Sequence, residues 1–208
     1  LFEYAEGLVC LSACLGGDIQ RMLLDGDLDG AEQLALKLKQ AFGPEGFYLE
    51  LQDHQMQEQK LVNRRLIELS KKTDIPLVAT NDVHYVEKED AAVHDVLLCI
   101  QTGKVLQDKD RMRFPTKEFY LKSPDEMNQL FGTRKEALEN SVKIAQMCTF
   151  DFDFSKTHLP AFTLEGKNAQ AYLKSLCLEG LHRKYADPDR HMDRLFYELS
   201  VINEMGYN

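Results

Sequence analysis

Residues Ile75 to Tyr85 read IPLVATNDVHY. The first five are short and apolar, and the polar residues Thr80, Asn81, Asp82 and His84 follow at once. A brief apolar run without alternation marks a strand buried on both faces, as in a parallel sheet. In such sheets the carboxyl ends of the strands carry the chemistry. The stretch therefore predicts both an element and the place where function collects.

Two earlier segments repeat the pattern. Gly7 to Ser12 (GLVCLS) is short, apolar and followed by Ala13 and Cys14. Phe47 to Leu51 (FYLEL) is aromatic and β-prone, and leads into Gln52, Asp53 and His54. Helical periodicity fills the gaps. A short helix is expected over 18–24, and a longer one over 27–42 with Leu28, Ala31, Leu34, Ala35 and Leu38 on one stripe, ended by Gly43-Pro44. A third is expected over 57–72 with Val62, Leu66 and Leu69 on one face, and a fourth over 89–102 before Gly103. The order βαβαβα implies α/β architecture with right-handed crossovers. All three polar clusters then share one rim.

Beyond Gly103 the character changes. A strand is expected over 119–122. Ser123-Pro124-Asp125-Glu126 forms a capping box with proline at the first helical position, and Thr133 to Glu136 reads as a second box opening a helix to about Cys148. The aromatic, acidic stretch from Phe150 to Phe162 has no helical period and places a domain boundary. Helices are expected over 169–183 and 188–205, the latter capped by Asp187.

Asp82-Val83-His84 is the sharpest candidate site. On extended backbone, side chains two apart point the same way, so a carboxylate and an imidazole could reach one divalent ion such as Zn²⁺ or Mn²⁺. A loop with a turn-capping Asp and an exposed His is the competing reading. Cys14 is either a small buried hydrophobe or, as thiolate, a ligand. Gly16-Gly17 could turn backbone N–H groups toward an anion. Glu50, Gln52 and His54 alternate along one side and read as a hydrogen-bonded structural triad or a rim group. His94 follows Asp90 by four residues, a side-chain pair spacing. His158, His182 and His191 read as surface residues. Residues 103–122 carry six basic and three acidic side chains, +3 overall, either a solvated mixed-charge loop or a local phosphate contact.

Composition restricts the function classes. The 208 residues carry 25 Lys and Arg against 34 Asp and Glu, a net charge of −9, which argues against a general nucleic-acid binder but not against the acidic part of one. Five scattered cysteines without a CxxC pair favour a reducing cytoplasm over a disulfide framework. No apolar run approaches the length of a membrane-spanning helix, so no membrane partner is expected. GxSxG, HExxH, P-loop and GxGxxG patterns are absent. The chain opens without Met and stops at GYN, and it is read as a fragment.

Taken in order, GLVCLSACLGGDI, FYLELQDHQMQEQ, IPLVATNDVHYVEKEDAAVHDVLLCIQTGK, RMRFPTKEFYLKSPDEM and LFYELSVINEMGY resemble the bacterial replicative DNA polymerase III alpha-subunit family. That resemblance implies that residues 1–157 are the C-terminal part of a polymerase and histidinol phosphatase (PHP) domain, a distorted, TIM-like β/α barrel. Residues 158–208 would begin the polymerase palm through a helical segment. PHP sites can hold divalent metals, Zn or Mn, and support phosphoesterase or 3′–5′ exonuclease activity in some members. Elsewhere the domain is structural. The family's last two ligand positions fall on Asp82 and His84 and an earlier one on Cys14. Other ligands would precede Leu1, and the polymerase aspartates would follow Asn208. The parent would use Mg, template-primer DNA and dNTPs, and meet replisome subunits such as the sliding clamp and proofreading subunit. Two other functions stay open: a non-catalytic scaffold that docks replication subunits, and an unrelated barrel-type metal-dependent hydrolase.

Overall fold

The structure, a computed structural model, describes residues 2–156, 166 and 168–207. The chain divides into two units, Leu1–Phe150 and Asp151–Asn208. The boundary expected at 157/158, and His158 with it, lies outside the described residues.

The first unit holds β1 (Cys10–Leu11), α1 (Asp18–Asp25), α2 (Leu28–Phe42), β2 (Phe47–Leu51), α3 (Gln57–Thr73), β3 (Leu77–Ala79), α4 (Ala91–Thr102), α5 (Pro124–Phe131) and α6 (Lys135–Met147). The strands form a three-stranded parallel sheet in the order β1-β2-β3, with Cys10 opposite Phe47 and Glu50 opposite Val78. Every residue of β2 is buried, which explains why it is apolar on both faces apart from Glu50. The core gathers Ile19 and Leu23 from α1, Ala31 and Ala35 from α2, Val62 and Leu66 from α3, and Phe47, Leu49 and Leu51 from β2.

Two strands are shorter than the sequence predicts. β1 closes at Leu11 because the Ser12 hydroxyl accepts the Glu50 N–H at 2.9 Å, where a backbone carbonyl would continue the ladder. β3 starts only at Leu77 because Pro76 has no N–H; its carbonyl still accepts from Leu49 at 2.9 Å. Over 119–122 no strand forms, only a single parallel bridge between Tyr85 and Tyr120. The Asn81 side chain donates to the Tyr120 carbonyl at 2.8 Å, in place of further ladder bonds.

The first capping box forms: Ser123 Oγ accepts the Glu126 N–H at 3.3 Å, and the Glu126 carboxylate accepts the Ser123 N–H at 2.8 Å. The second does not. α5 runs through a 3₁₀ turn, Gly132–Arg134, straight into α6, whose first flanking residue is Arg134 without a side-chain cap. Thr133 is thus already in helical backbone, whereas a cap needs extended backbone. α4 also starts later than expected, after a 3₁₀ turn over Lys88–Asp90 in which the Asp90 carboxylate accepts the Glu87 N–H at 3.0 Å.

The second unit holds α7 (Ala169–Lys184) and α8 (Met192–Glu204). Asn168 caps α7 through the Ala171 N–H at 3.2 Å. α8 follows a 3₁₀ turn, Asp189–His191, flanked by Pro188, so Asp187 is not its cap. No described helix is long and apolar enough to cross a membrane.

Candidate functional site

The ends of all three strands meet at one rim, where two hydrogen-bonded networks fix the loops. Glu50 organises the first. Its carboxylate accepts from the Ala13 N–H at 3.0 Å and from Gln52 Nε2 at 3.0 Å, and also from the Thr80 hydroxyl. One buried carboxylate therefore ties the chain after β1 to β2 and to the chain after β3. Gln20 of α1 adds bonds to Ser12 Oγ at 2.7 Å and to the Ala13 carbonyl at 2.8 Å. Gly17 lies against this knot: a Cβ there would stand 2.5 Å from the Ser12 carbonyl oxygen. The Gly16-Gly17 turn thus serves close backbone approach, its Gly17 N–H donating to Cys14 O at 2.8 Å. Cys10 faces the same region, and burial, then the nearby Glu50 charge, raises its thiol pKa. It is half-buried and packs against the core, where its place in a strand puts it.

The second network centres on His54, which is 1% exposed. Its Nε2 lies 2.9 Å from the Asn81 carbonyl, an acceptor only, so Nε2 carries the proton. Nδ1 then accepts from Gln59 Nε2 at 2.7 Å, while Gln59 Oε1 accepts the His54 N–H at 2.7 Å. The ring stacks on Phe119 at 3.9 Å. Burial lowers its pKa. Both nitrogens are used, so His54 is a structural group. The alternating Glu50, Gln52 and His54 split between the two networks: Glu50 and Gln52 in one, His54 in the other.

Asn81 links these contacts to the candidate ligands. Behind it, buried Lys122 donates to the Glu118 carbonyl and approaches Asn81 Oδ1 at 3.4 Å. Asp82 follows in left-handed backbone, φ 47°, a conformation that Asp tolerates better than most residues. The premise of extended backbone at Asp82–His84 is therefore corrected. The chain curls, and His84 Nδ1 reaches the Asp82 carbonyl at 3.0 Å, with the Asp82 carboxylate 3.9 Å away. In the neutral ring this bond places the proton on Nδ1 and leaves the Nε2 lone pair available. His84 is held edge-on by Phe114 at 4.6 Å and by His94 at 5.7 Å. His94 sits in this ring cluster instead of pairing with Asp90, and burial, then the His84 charge, lowers its pKa.

Cys14, Asp82 and His84 line one cavity of about 290 Å³ with Met56, Gln59 and Phe119. The three expected ligands thus face a common space. Among the described residues, however, no three His, Cys, Asp or Glu side chains stand close enough together to hold a metal ion. A structural Zn²⁺ needs about four ligands and a catalytic one about three plus water, so the donors among the described residues do not by themselves fit a metal.

Three of the six basic side chains of the loop, Arg111, Arg113 and Lys122, are engaged with their own surroundings. Arg111 forms a two-pronged pair with Asp95 at 2.5 and 2.6 Å, Arg113 donates to the Asp108 carbonyl at 2.9 Å, and Lys88 and Lys122 flank Glu118. Sequence reasoning placed Ser12 at the rim and Lys122 in the basic loop without their partners, and missed the supporting residues Gln20, Gln59, Phe114 and Phe119. No spacing pattern marks them, because each is matched to its partner only by the tertiary fold.

Comparison with known proteins adds two findings. A family model described as "PHP domain" matches residues 1–54, the part that supplies Cys14, Glu50 and His54 but not Asp82 or His84. DNA polymerase III subunit alpha of Borreliella burgdorferi is 44% identical over 211 residues, covering 100% of this chain and 18% of that protein. The proteins of the same name from Treponema pallidum and Thermus aquaticus are each 42% identical, over 100% and 96% of this chain and 18% and 17% of their own lengths. The chain thus spans less than a fifth of the length of these curated relatives.

Proposed function

From this end-to-end likeness to DNA polymerase III alpha subunits, we propose that the chain is a segment of such a subunit, whose activity is DNA-templated DNA synthesis in bacterial chromosome replication. The observation that carries the reading is identity of 42–44% running through both units of the chain. Chance likeness confined to one α/β rim would not extend into the helices after Asp151. Under this reading residues 1–157 are part of a barrel-type PHP module and 158–208 enter the palm. The polymerase aspartates, with their Mg, lie elsewhere in the parent, as do most contacts to template-primer DNA and dNTPs. Sliding clamp and proofreading subunits are the expected partners, and the cytoplasm the expected compartment.

Within the PHP module, Asp82, His84 and Cys14 are proposed as one part of a larger ligand set for Zn or Mn, completed by other residues of the parent. An ion held there in the parent would supply Lewis acidity for phosphoester chemistry. This chain contributes orientation: the Asp82 carbonyl fixes the His84 ring, and His54 and Asn81 fix the backbone that carries both.

A second reading has its own support. The wholly structural role of His54, both of whose ring nitrogens are used within the rim, suits a PHP module that acts as scaffold and docks other subunits. An unrelated barrel hydrolase gains no such support.

The test is recovery of the complete reading frame and assay of the purified product. Template-directed dNTP incorporation is expected. A product without it overturns the polymerase reading. Metal-dependent 3′–5′ release of nucleotides that is lost in His84→Ala while synthesis persists separates the active PHP module from the scaffold.

A further inference from the structure

α4 turns Val93, Leu97 and Ile100 to solvent and supplies His94, Asp95 and Leu98 to the wall of a second cavity of the first unit, about 320 Å³ in volume. The loop after α4 completes that wall with Arg111, Arg113 and Lys117. Charge in the wall is unbalanced. Asp95 is the only carboxylate among its described residues, and Arg111 holds both its oxygens, at 2.5 and 2.6 Å. That pair neutralises itself and is firmly placed, with the Arg111 side chain 4% exposed. Arg113 and Lys117 are exposed and stay uncompensated. Arg113 donates only to a neutral group, the Asp108 carbonyl, at 2.9 Å, while the Asp108 carboxylate accepts the Val105 N–H. Lys117 has no ion-pair partner among the described residues. Two buried donors of the same wall, Arg111 Nε and the Tyr85 hydroxyl, have no acceptor among them either. A wall of donors without a free acceptor attracts an anion. A guanidinium fork and an ammonium bordering one cavity suit a phosphate in particular.

We propose that this cavity is a binding site for a phosphate group, held by Arg113 and Lys117 on a wall that the Arg111–Asp95 pair keeps in place. Arg113, Phe114 and Pro115 also line the cavity of Cys14, Asp82 and His84, so the phosphate stands beside the candidate ligands and not among them. It belongs either to the backbone of a DNA strand or to free phosphate, and the contact is the same for both. The site needs no metal. Only its use by a DNA strand rests on the alpha-subunit reading.

The test follows acetylation of lysines by an N-hydroxysuccinimide ester, peptide by peptide, in the complete subunit. Inorganic phosphate is titrated against chloride of equal ionic strength. A lysine held on phosphate is protonated and shielded, so its reaction slows as 1 + [L]/Kd, about tenfold at ten times the dissociation constant. Lys117 is expected to slow in this way, while Lys104, which does not line the cavity, keeps one rate in both salts. Arg113→Gln should abolish the protection of Lys117. Buried Lys122 stays unreactive wherever the unit is folded, which separates a lost site from a lost fold. Arg113→Lys keeps the charge without the fork; it should weaken the protection, and it decides the matter if the first variant does not fold. Equal rates at Lys117 in phosphate and chloride overturn the proposal, as does protection that survives Arg113→Gln undiminished. A second arm uses a single-stranded oligodeoxynucleotide without terminal phosphates. Protection by both probes assigns the site to strand phosphates, and protection by inorganic phosphate alone assigns it to free phosphate. Protection by the oligonucleotide alone overturns the proposal in favour of steric cover by DNA. A product without template-directed synthesis removes the alpha-subunit reading and leaves the result with inorganic phosphate standing.

Discussion

His54 Nε2 donates to the main-chain carbonyl of Asn81 at 2.9 Å, joining the end of β2 to the residue immediately before Asp82. The bond crosses 27 positions of sequence and is made by a ring that is almost wholly buried. It is the means by which the central strand sets the path of the chain at the candidate ligands. Gln59 and Phe119 hold the ring from its other edge and its face.

His54→Ala should therefore destabilise the fold. It removes a stacked ring, leaves a cavity, and strips partners from the Asn81 carbonyl and Gln59. A loss of about 2–4 kcal/mol is expected, read from urea denaturation of the 208-residue chain. A change below about 0.5 kcal/mol, the range of ordinary surface substitutions, would show that the network does not hold the rim.

The same residue sets a pH dependence. Burial holds the folded His54 pKa below the ordinary 6.5, so below that pH the unfolded chain binds more protons than the folded one. Stability then rises with pH across the window between the folded value and 6.5, and falls as pH drops through it. His94, also depressed by burial, acts in the same direction. Asp95 and Glu126 are lowered carboxylates and act only in more acid solution. The denaturation midpoint should fall between pH 7.5 and 5.5, and fall less in His54→Gln. An equal fall in both proteins would remove His54 as a cause.

Glu50→Gln tests the other network. The carboxylate accepts from Ala13, Gln52 and Thr80, whereas an amide offers one acceptor oxygen and turns its NH₂ toward a donor. Leaving a buried donor unsatisfied costs about 1–3 kcal/mol. Denaturation of the variant should show a loss in that range, and an unchanged midpoint would mean that water replaces the missing acceptor.

What the sequence made legible follows from local physics. The parallel strands were readable because burial on both faces leaves a short apolar run without alternation, as in Leu77 to Ala79. The rim was readable because every strand in such a sheet ends at the same edge, which puts Cys14, Asp82 and His84 on one cavity. Geometry within the rim was not readable. The left-handed turn at Asp82 and the capture of the Glu50 N–H by Ser12 depend on partners 27 to 38 positions away. The outward face of α4 was hidden for the opposite reason: periodicity reports a stripe without reporting which side meets solvent.

Metal binding should depend on residues beyond this chain. The isolated 208 residues are expected to take up Zn²⁺ or Mn²⁺ weakly if at all, since no three donors converge among the described residues and affinity requires a full ligand set and its supporting shell. Calorimetry that found tight, stoichiometric uptake would contradict this. In the complete subunit, His84→Ala should lower metal affinity by at least about tenfold, read from metal content after dialysis against a chelator.

The two candidate capping boxes, identical in kind by sequence, give opposite expectations. Ser123 sits in extended backbone (φ −67°, ψ 163°), and its hydroxyl accepts the Glu126 N–H. Glu126 is further fixed by the Tyr120 hydroxyl at 2.5 Å, a bond that helps push the tyrosine pKa up to about 12. Ser123→Ala deletes an acceptor that no neighbour replaces, and should cost about 1 kcal/mol. Thr133 lies within the 3₁₀ turn between α5 and α6, where its hydroxyl caps nothing, so Thr133→Ala should change stability by less than about 0.5 kcal/mol. Parallel urea denaturation of the two variants decides the matter. A loss at Thr133 equal to that at Ser123 would mean that the Thr133 hydroxyl caps α6 in solution.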